Sequence, residues 1–263
     1  MILSDRSEFI SCISVDADMQ FIAKYQDLTL TSVYQPIFDS SFTQIGVEAL
    51  VRISNCKGDV VRPDHFFHSD ETSYTDKINV ERLSRAIHIR NFAQSTVRHL
   101  NLFLNVLPNV GELFASEKVK DTLLAKRLHE LNLSCEQIVM ELVELNVESE
   151  ERLKNAAHSL ADNGFQIAVD DFGAQASTEQ RVRHITPHII KIDRSVMLDF
   201  ENGDTQKMEL VVKLANQIGA KTIIEGIETQ QQLTAMQSLG FDMYQGYHLA
   251  MPKPIELDIR LAI

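Results

Sequence analysis

Short apolar runs alternate with stretches of helical periodicity along most of this 263-residue chain. The β-rich runs cover residues 28–38, 45–53, 102–108, 137–144, 165–173, 188–193, 221–225 and 244–249, which predicts eight strands. Asp39-Ser-Ser between the first two reads as a tight turn, so these strands are expected to pair as a hairpin. Helices are expected over about 76–94, where Val80, Leu83 and Ile87 form the apolar stripe, and over about 149–163. In the second, Leu153, Ala156, Ala157, Leu160 and Ala161 share a face, acidic residues suit the N-terminus, and Gly164 stands at the C-cap position. Two further helices are expected to close at Gly219 and Gly240. Residues 1–28 have a mixed pattern and are expected to be a helical lead-in, too short for a separate sensory domain, ahead of a domain over 29–263.

Strands alternating with helices imply a parallel sheet, and eight of them imply a closed α/β barrel of the (β/α)8 kind. In such barrels chemistry gathers where the strands end. Glu48, Asn105, Glu141, Asp170, Asp171, Lys191, Glu225 and Gln245 would all lie there. Asp170 and Asp171 are adjacent on one run, and alternation along a strand would send them to opposite faces unless the strand ends at that point. Alone, such a pair suits a turn or a helix start as well as a metal site.

Composition narrows the picture little: 44% hydrophobic and 24% charged residues describe an ordinary globular chain. The start lacks the basic and apolar regions of a signal peptide. Cys12, Cys56 and Cys135 are odd in number and have no metal spacing, which fits reduced thiols in the cytoplasm. Charge says more. A net −12 argues against nucleic-acid polymers and anionic membranes as partners, although a metal or a few local cations would still let an anionic ligand bind.

Carboxylates and one Asn amide are hard oxygen donors, suited to Mg²⁺ or Mn²⁺, and numerous enough here for two ions. Two such ions can activate water and stabilise the leaving oxygen of a phosphodiester. Lys191 among carboxylates could orient that water, or be a plain buried ion-pair partner. Arg52, on the same strand face as Glu48 and Leu50, could grip a phosphate with paired hydrogen bonds. Glu228 reads equally as a cap for the helix starting at Thr229, and Asp193 as a ligand contact or a structural acceptor. His184 and His188 have no metal spacing.

Six motifs in order, preceded by Gln35-Pro-Ile37 and followed by Gln245-Gly-Tyr247, carry a resemblance. Gln35-Pro-Ile37 precedes Glu48-Ala-Leu50; then come Asn105 to Pro108, Glu141 to Glu144, Asp170-Asp-Phe-Gly173, Lys191-Ile-Asp193, Glu225-Gly-Ile-Glu228 and Gln245-Gly-Tyr247. Over about residues 30–256 the chain resembles the EAL-domain phosphodiesterases, which hydrolyse cyclic di-GMP to linear pGpG. The resemblance implies a modified barrel whose first strand runs antiparallel. It implies metal ligation by Glu48, Asn105, Glu141, Asp170 and Asp171. Lys191 would contact the nucleophilic water, and Glu225 would be the general base or a further metal-site carboxylate. Gln35, Leu50, Arg52, Asp193 and Gln245 would face the dinucleotide, and Glu144 would hold the loop after the Asp pair.

The chain departs from the family pattern at three places. Ala174-Gln-Ala-Ser-Thr178 stands where members usually carry Thr-Gly-Tyr-Ser-Ser, a loop linked to metal occupancy and to dimer-coupled activation. Leu107 replaces a Ser and Val143 a Thr, two hydroxyls that could support the ligands. Two readings follow. One is a metal-dependent phosphodiesterase, with a homodimer or a protein regulator as possible partner. The other is a weak or inactive module that acts as a cyclic di-GMP receptor or through protein contacts.

Overall fold

A computed structural model describes residues 2–3, 6–107, 123–142, 150–173, 179–258 and 260. Helix α1 (Arg6–Cys12) leads into strands β1 (Ile13–Val15) and β2 (Phe21–Tyr25). The barrel itself is built from β3 (Leu28–Asp39), β4 (Gln44–Asn55), β6 (Asn101–Val106), β7 (Ile138–Leu142), β8 (Gln166–Phe172), β9 (Ile189–Ile192), β10 (Lys221–Ile224) and β11 (Met243–Tyr244). The order β3-β11-β10-β9-β8-β7-β6-β4, closed by pairing of β3 with β4, makes an eight-stranded ring. Strand β3 is antiparallel to both its neighbours, and the other pairings in the ring are parallel. The hairpin turn forms because Asp39 Oδ1 accepts from the backbone N–H groups of Ser41 and Thr43, both at 2.9 Å. β5 (Val60–Val61) extends the sheet beyond β4.

The outer layer includes α2 (Pro63–His68), α3 (Tyr74–Ala93), α4 (Leu123–Glu130), α5 (Glu150–Asp162), α6 (Glu179–Ile185), α7 (Arg194–Glu201), α8 (Gln206–Ile218) and α9 (Gln230–Ser238). Ser73 caps α3 by accepting from the Asp76 N–H, and Thr229 with Gln232 forms a reciprocal capping box on α9. Inside the barrel, Ile37, Phe103, Val139, Ala168, Ile189, Ile223 and Met243 pack as one apolar layer. This plug seals the end away from the strand C-termini, so polar residues can assemble only at the other end.

Two expectations need correction. Residues 1–28 are not simply helical: β1 and β2 add two antiparallel strands to the sheet beside β3. Partners of β2 are remote in sequence, on α3: Asn79 Nδ2 donates to the Tyr25 hydroxyl, and Asn91 bonds both backbone groups of Phe21. The last strand stops at Tyr244, not at residue 249. The chain turns there because Gly246 lies against the Ile227 backbone, where a Cβ would collide. The segments of α6 and α7 were not foreseen as helices.

Helix α3 is buried on several sides. Val80, Leu83 and Ile87 pack on Ala23, Leu30 and Ile53, while Ile89 and Phe92 face the main core. Its His88 Nδ1 lies 2.7 Å from Ser32 Oγ. Burial, assisted by the charge of Arg52, pushes the His88 pKa down to about 3 from 6.5. The folded state therefore holds this imidazole neutral, and protonation of the unfolded chain disfavours folding as pH falls from 6.5 toward 3. Urea midpoints at neutral and mildly acid pH should show a loss of up to about 1.4 kcal/mol per pH unit from this group. His88→Gln should flatten that slope; an unchanged slope would disprove the assignment.

Candidate active site

The polar end of the barrel centres on Lys191, which is 1% exposed. Its Nζ lies 2.8 Å from Glu141 Oε1, 2.8 Å from Glu225 Oε1, 3.0 Å from Asp170 Oδ1 and 3.6 Å from Glu48 Oε1. Sheet register explains the convergence. Asn105 sits opposite Glu141, and Gln35 opposite Glu48, so each pair faces the same side of the wall. Glu48 is also a hub of hydrogen bonds: Asn105 Nδ2 donates to its Oε1 at 3.1 Å and Gln245 Nε2 to its Oε2 at 2.8 Å.

Backbone strain resolves the problem of the adjacent aspartates. Asp171 has φ of 52°, and the β8–β9 pairing slips between Val169 and Phe172. The left-handed residue breaks the alternation, so oxygens of Asp170, Asp171 and Glu225 lie within 4.8 Å of one another. Asp tolerates this conformation better than most residues, and a β-branched one would not. Asp171→Val should therefore cost about 1–2 kcal/mol. Asp171→Asn should keep the fold while weakening divalent-cation binding. Melting curves with and without Mn²⁺ separate the two effects, and equal behaviour of both variants would contradict this account.

The electrostatics are lopsided. Around Lys191 stand four carboxylates. Burial disfavours the Glu48 carboxylate, but the Lys191 charge and the hydrogen bonds from Gln245 and Asn105 outweigh it, and its pKa is lowered. Glu141 has Lys191 but no amide donor among the described residues. Burial, with the charge of Glu48 next, raises its pKa well above the ordinary carboxylate range. Glu225 is raised as well, by burial and then by Asp170 and Glu48 against the pull of Lys191. Burial alone would lower Lys191, but the surrounding carboxylates reverse that and raise it, so it stays a cation.

These groups fit a hard divalent cation. Glu141 Oε2 is buried and has no hydrogen-bond partner among the described residues, an expensive state without a cation. Asn105 uses its amide nitrogen on Glu48, which leaves its oxygen as the donor atom for a metal. Three converging carboxylates and this amide are the donor set such ions take.

Two cavities flank the cluster. One, of about 290 Å³, is lined by Gln35, Glu48, Asp193, Glu225, Gln245 and Tyr247, among others. The other, of about 200 Å³, opens beside Leu50, Arg52 and Asn105. The structure thus brings together Glu48, Asn105, Glu141, Asp170, Asp171, Lys191, Glu225 and Gln245, with Gln35, Asp193, Leu50 and Arg52 on the walls. Arg52 is exposed and donates to the Val51 carbonyl at 3.0 Å. Asp193 caps α7 through the Ser195 N–H while still facing the larger cavity. Glu228 is not the cap of α9; that place is taken by Thr229, and the Glu228 carboxylate pairs with Arg194 at 2.5 Å. Glu144, Pro108, Val143 and the loop 174–178 lie outside the described residues. The sequence reading passed over Glu81 and Arg85 in the smaller cavity and Arg194 in the larger. A charged pair inside the apolar stripe of α3 was the available signal.

Comparison with known proteins gives a consistent picture. The EAL domain family profile matches residues 22–252. The cyclic di-GMP phosphodiesterase RocR of Pseudomonas aeruginosa is 28% identical over 216 residues, covering 80% of this chain and 54% of that protein. The chain thus spans about half the length of the curated relatives it matches first. Among solved structures, the Bacillus subtilis YkuI protein, with an EAL domain and in complex with substrate c-di-GMP and calcium, superposes with a TM-score of 0.75. It is 26% identical, and the match covers 88% of this chain and 59% of that one. The manganese/cy-diGMP complex of Klebsiella pneumoniae BlrP1 has a TM-score of 0.72 at 22% identity, over 85% of this chain and 56% of that one, a likeness of fold.

Proposed function

The chain belongs to the EAL-domain family, and on that footing we propose that it is a metal-dependent phosphodiesterase that opens cyclic di-GMP to linear pGpG. The observation that carries this reading is the cluster around Lys191, where, among the described residues, carboxylates from separate strands and strand ends outnumber the one cation that holds them. A purely structural site would balance its charges.

Glu48, Asn105, Glu141, Asp170 and Asp171 would hold two divalent ions, Mg²⁺ or Mn²⁺. Bound there, the ions supply Lewis-acid polarisation of the phosphodiester and of the attacking water. Glu225, which burial holds at a raised pKa, accepts the proton of that water. Lys191 stays charged, orients the water and offsets the negative charge that develops as the P–O bond breaks. Gln35, Leu50, Asp193 and Gln245 line the path of the dinucleotide. Arg52 turns from the Val51 carbonyl to a phosphate, whose two free oxygens accept from two N–H groups of the guanidinium. Glu144 supports the loop after the Asp pair. The catalytic unit is the domain over residues 29–263, working in the cytoplasm, where this second messenger would be met. Among the described residues no helix is long and apolar enough to cross a membrane.

The test is chromatographic. Purified protein with cyclic di-GMP and Mg²⁺ or Mn²⁺ should release pGpG, and chelator should stop it. No product with either metal would sink the enzymatic reading. The altered loop at 174–178 supports a second reading, a weak or inactive receptor that works through a homodimer or a protein regulator. Micromolar binding without turnover would favour that reading.

A further inference from the structure

The turn that carries Glu225 rests on a residue that the reaction above does not use. Arg194 opens helix α7, where Asp193 fixes the helix start by accepting from the Ser195 N–H at 2.9 Å. Its side chain reaches the wall of the larger cavity, and its Nη2 lies 2.5 Å from Glu228 Oε2. Backbone bonds secure the turn on either side of Gly226. The Glu225 N–H donates to the Ile192 carbonyl and the Ile227 N–H to the Gln245 carbonyl, both at 3.2 Å. Between them, at Gly226, the contact is with the Arg194 stem. A Cβ there would stand 2.7 Å from Arg194 Cβ, 2.8 Å from Cγ and 2.9 Å from Cδ, so only glycine lets the turn settle on that stem. An ordinary surface ion pair does not explain the arrangement. The Arg194 and Glu228 side chains are 42% and 41% exposed, and a pair in that setting adds little. Yet Arg194 Nε is buried with no hydrogen-bond partner among the described residues. A stem without a task would leave that donor in water, since burying it unpaired is costly.

We propose that Arg194 is a positioning residue: its stem supports the turn at Gly226, its guanidinium pins the turn through Glu228, and the Glu225 carboxylate is thereby held at the reacting centre. The inference rests on the phosphodiesterase reading and deepens it, by naming what fixes the group that accepts the proton of the attacking water. Glu225 stands one residue before the supported glycine, and its Oε1 lies 2.8 Å from Lys191 Nζ. A shift of the peptide at Gly226 therefore passes directly to the Glu225 backbone and swings its carboxylate away from Lys191. Proton transfer needs heavy atoms within hydrogen-bond reach, and a misplacement of about 1 Å can cost about 10²-fold in rate. In this role Arg194 acts on the chemical step through Glu225, so its loss slows turnover more than it weakens binding of the dinucleotide.

Steady-state kinetics of pGpG release by the whole chain, with Mg²⁺ or Mn²⁺, test this. Arg194→Ala removes the stem and the ion pair together and should lower kcat about tenfold, while KM moves less than about twofold. Arg194→Lys keeps an unbranched stem and a positive charge, and should return kcat to within about threefold of the wild type. Both variants should melt close to the wild type, because the ion pair they alter is solvated. A residue that only stabilised the fold would lower the melting temperature and leave the kcat of the folded protein intact. Arg194→Ser, a residue suited to a helix start, decides the matter if Arg194→Ala is unstable. Unchanged kcat in the folded variant, a loss confined to KM, or an Arg194→Lys as slow as Arg194→Ala would overturn the inference and leave the phosphodiesterase reading standing. A wild type that releases no pGpG with either metal would overturn both.

Discussion

Glu48→Ala should lose about 10²–10³-fold in pGpG formation while melting no lower than the wild type. The two halves of this expectation have one cause. Glu48 is the acceptor for Asn105 and Gln245 and stands 3.6 Å from Lys191, so its removal frees three groups of the proposed reacting centre. Yet it is also one of four carboxylates around one ammonium. Taking it away lowers the like-charge repulsion that raises Glu141 and Glu225. The lost hydrogen bonds, about 1 kcal/mol each, are offset by that relief. Turnover assays alongside thermal melts test it. Full turnover would refute the mechanism, and a fall in both activity and melting temperature would make Glu48 a structural residue first.

Lys191→Met should do the reverse. It strips the one ammonium found among the described residues of a site where Glu141 is fully buried and Asp170 and Glu48 nearly so. Breaking a buried pair by removing one partner costs about 3–5 kcal/mol, because the remaining charges lose their compensation. Two treatments should restore the variant. Mn²⁺ would replace the lost positive charge, so the added metal should raise its melting temperature more than that of the wild type. Mild acid would help too, by a definite sign. Glu141 and Glu225 have folded-state pKa values raised above the unfolded ones, so their contribution is present at low pH and lost as pH rises. The variant should therefore gain stability on acidification from neutrality toward the carboxylate range. Melts across pH and metal concentration would show it, and a variant as stable as the wild type at neutral pH without metal would rule it out.

How the site could be read from sequence differed from residue to residue. Glu48, Glu141, Asp170 and Glu225 were legible because each follows or ends an apolar run, and a carboxylate in that place has no inexpensive bland role. Tyr244 to Leu249 misled because β-formers in a row resemble a strand, while the close approach of Gly246 to Ile227 is a contact across about 20 residues of sequence. Residues 13–25 hid their strands for a similar reason. The second of them is held by Asn79 and Asn91 from a helix far along the chain, and local propensity carries no trace of such partners. Glu228 went astray by one position, since a capping Thr next to a Glu leaves the local pattern equally content with either.

The sequence by itself determined the alternation of strands and helices, the eight-stranded barrel, the hairpin that reverses its first strand and the residues that meet at its mouth. All of these follow from periodicity and motif order, which are local properties of the chain. Tertiary structure alone decided that Lys191 stands among four carboxylates, and that Asp171 bends into the left-handed region so that its carboxylate meets Asp170 and Glu225. Distances between residues on different strands, and the burial that sets their charge states, exist only once the barrel has closed.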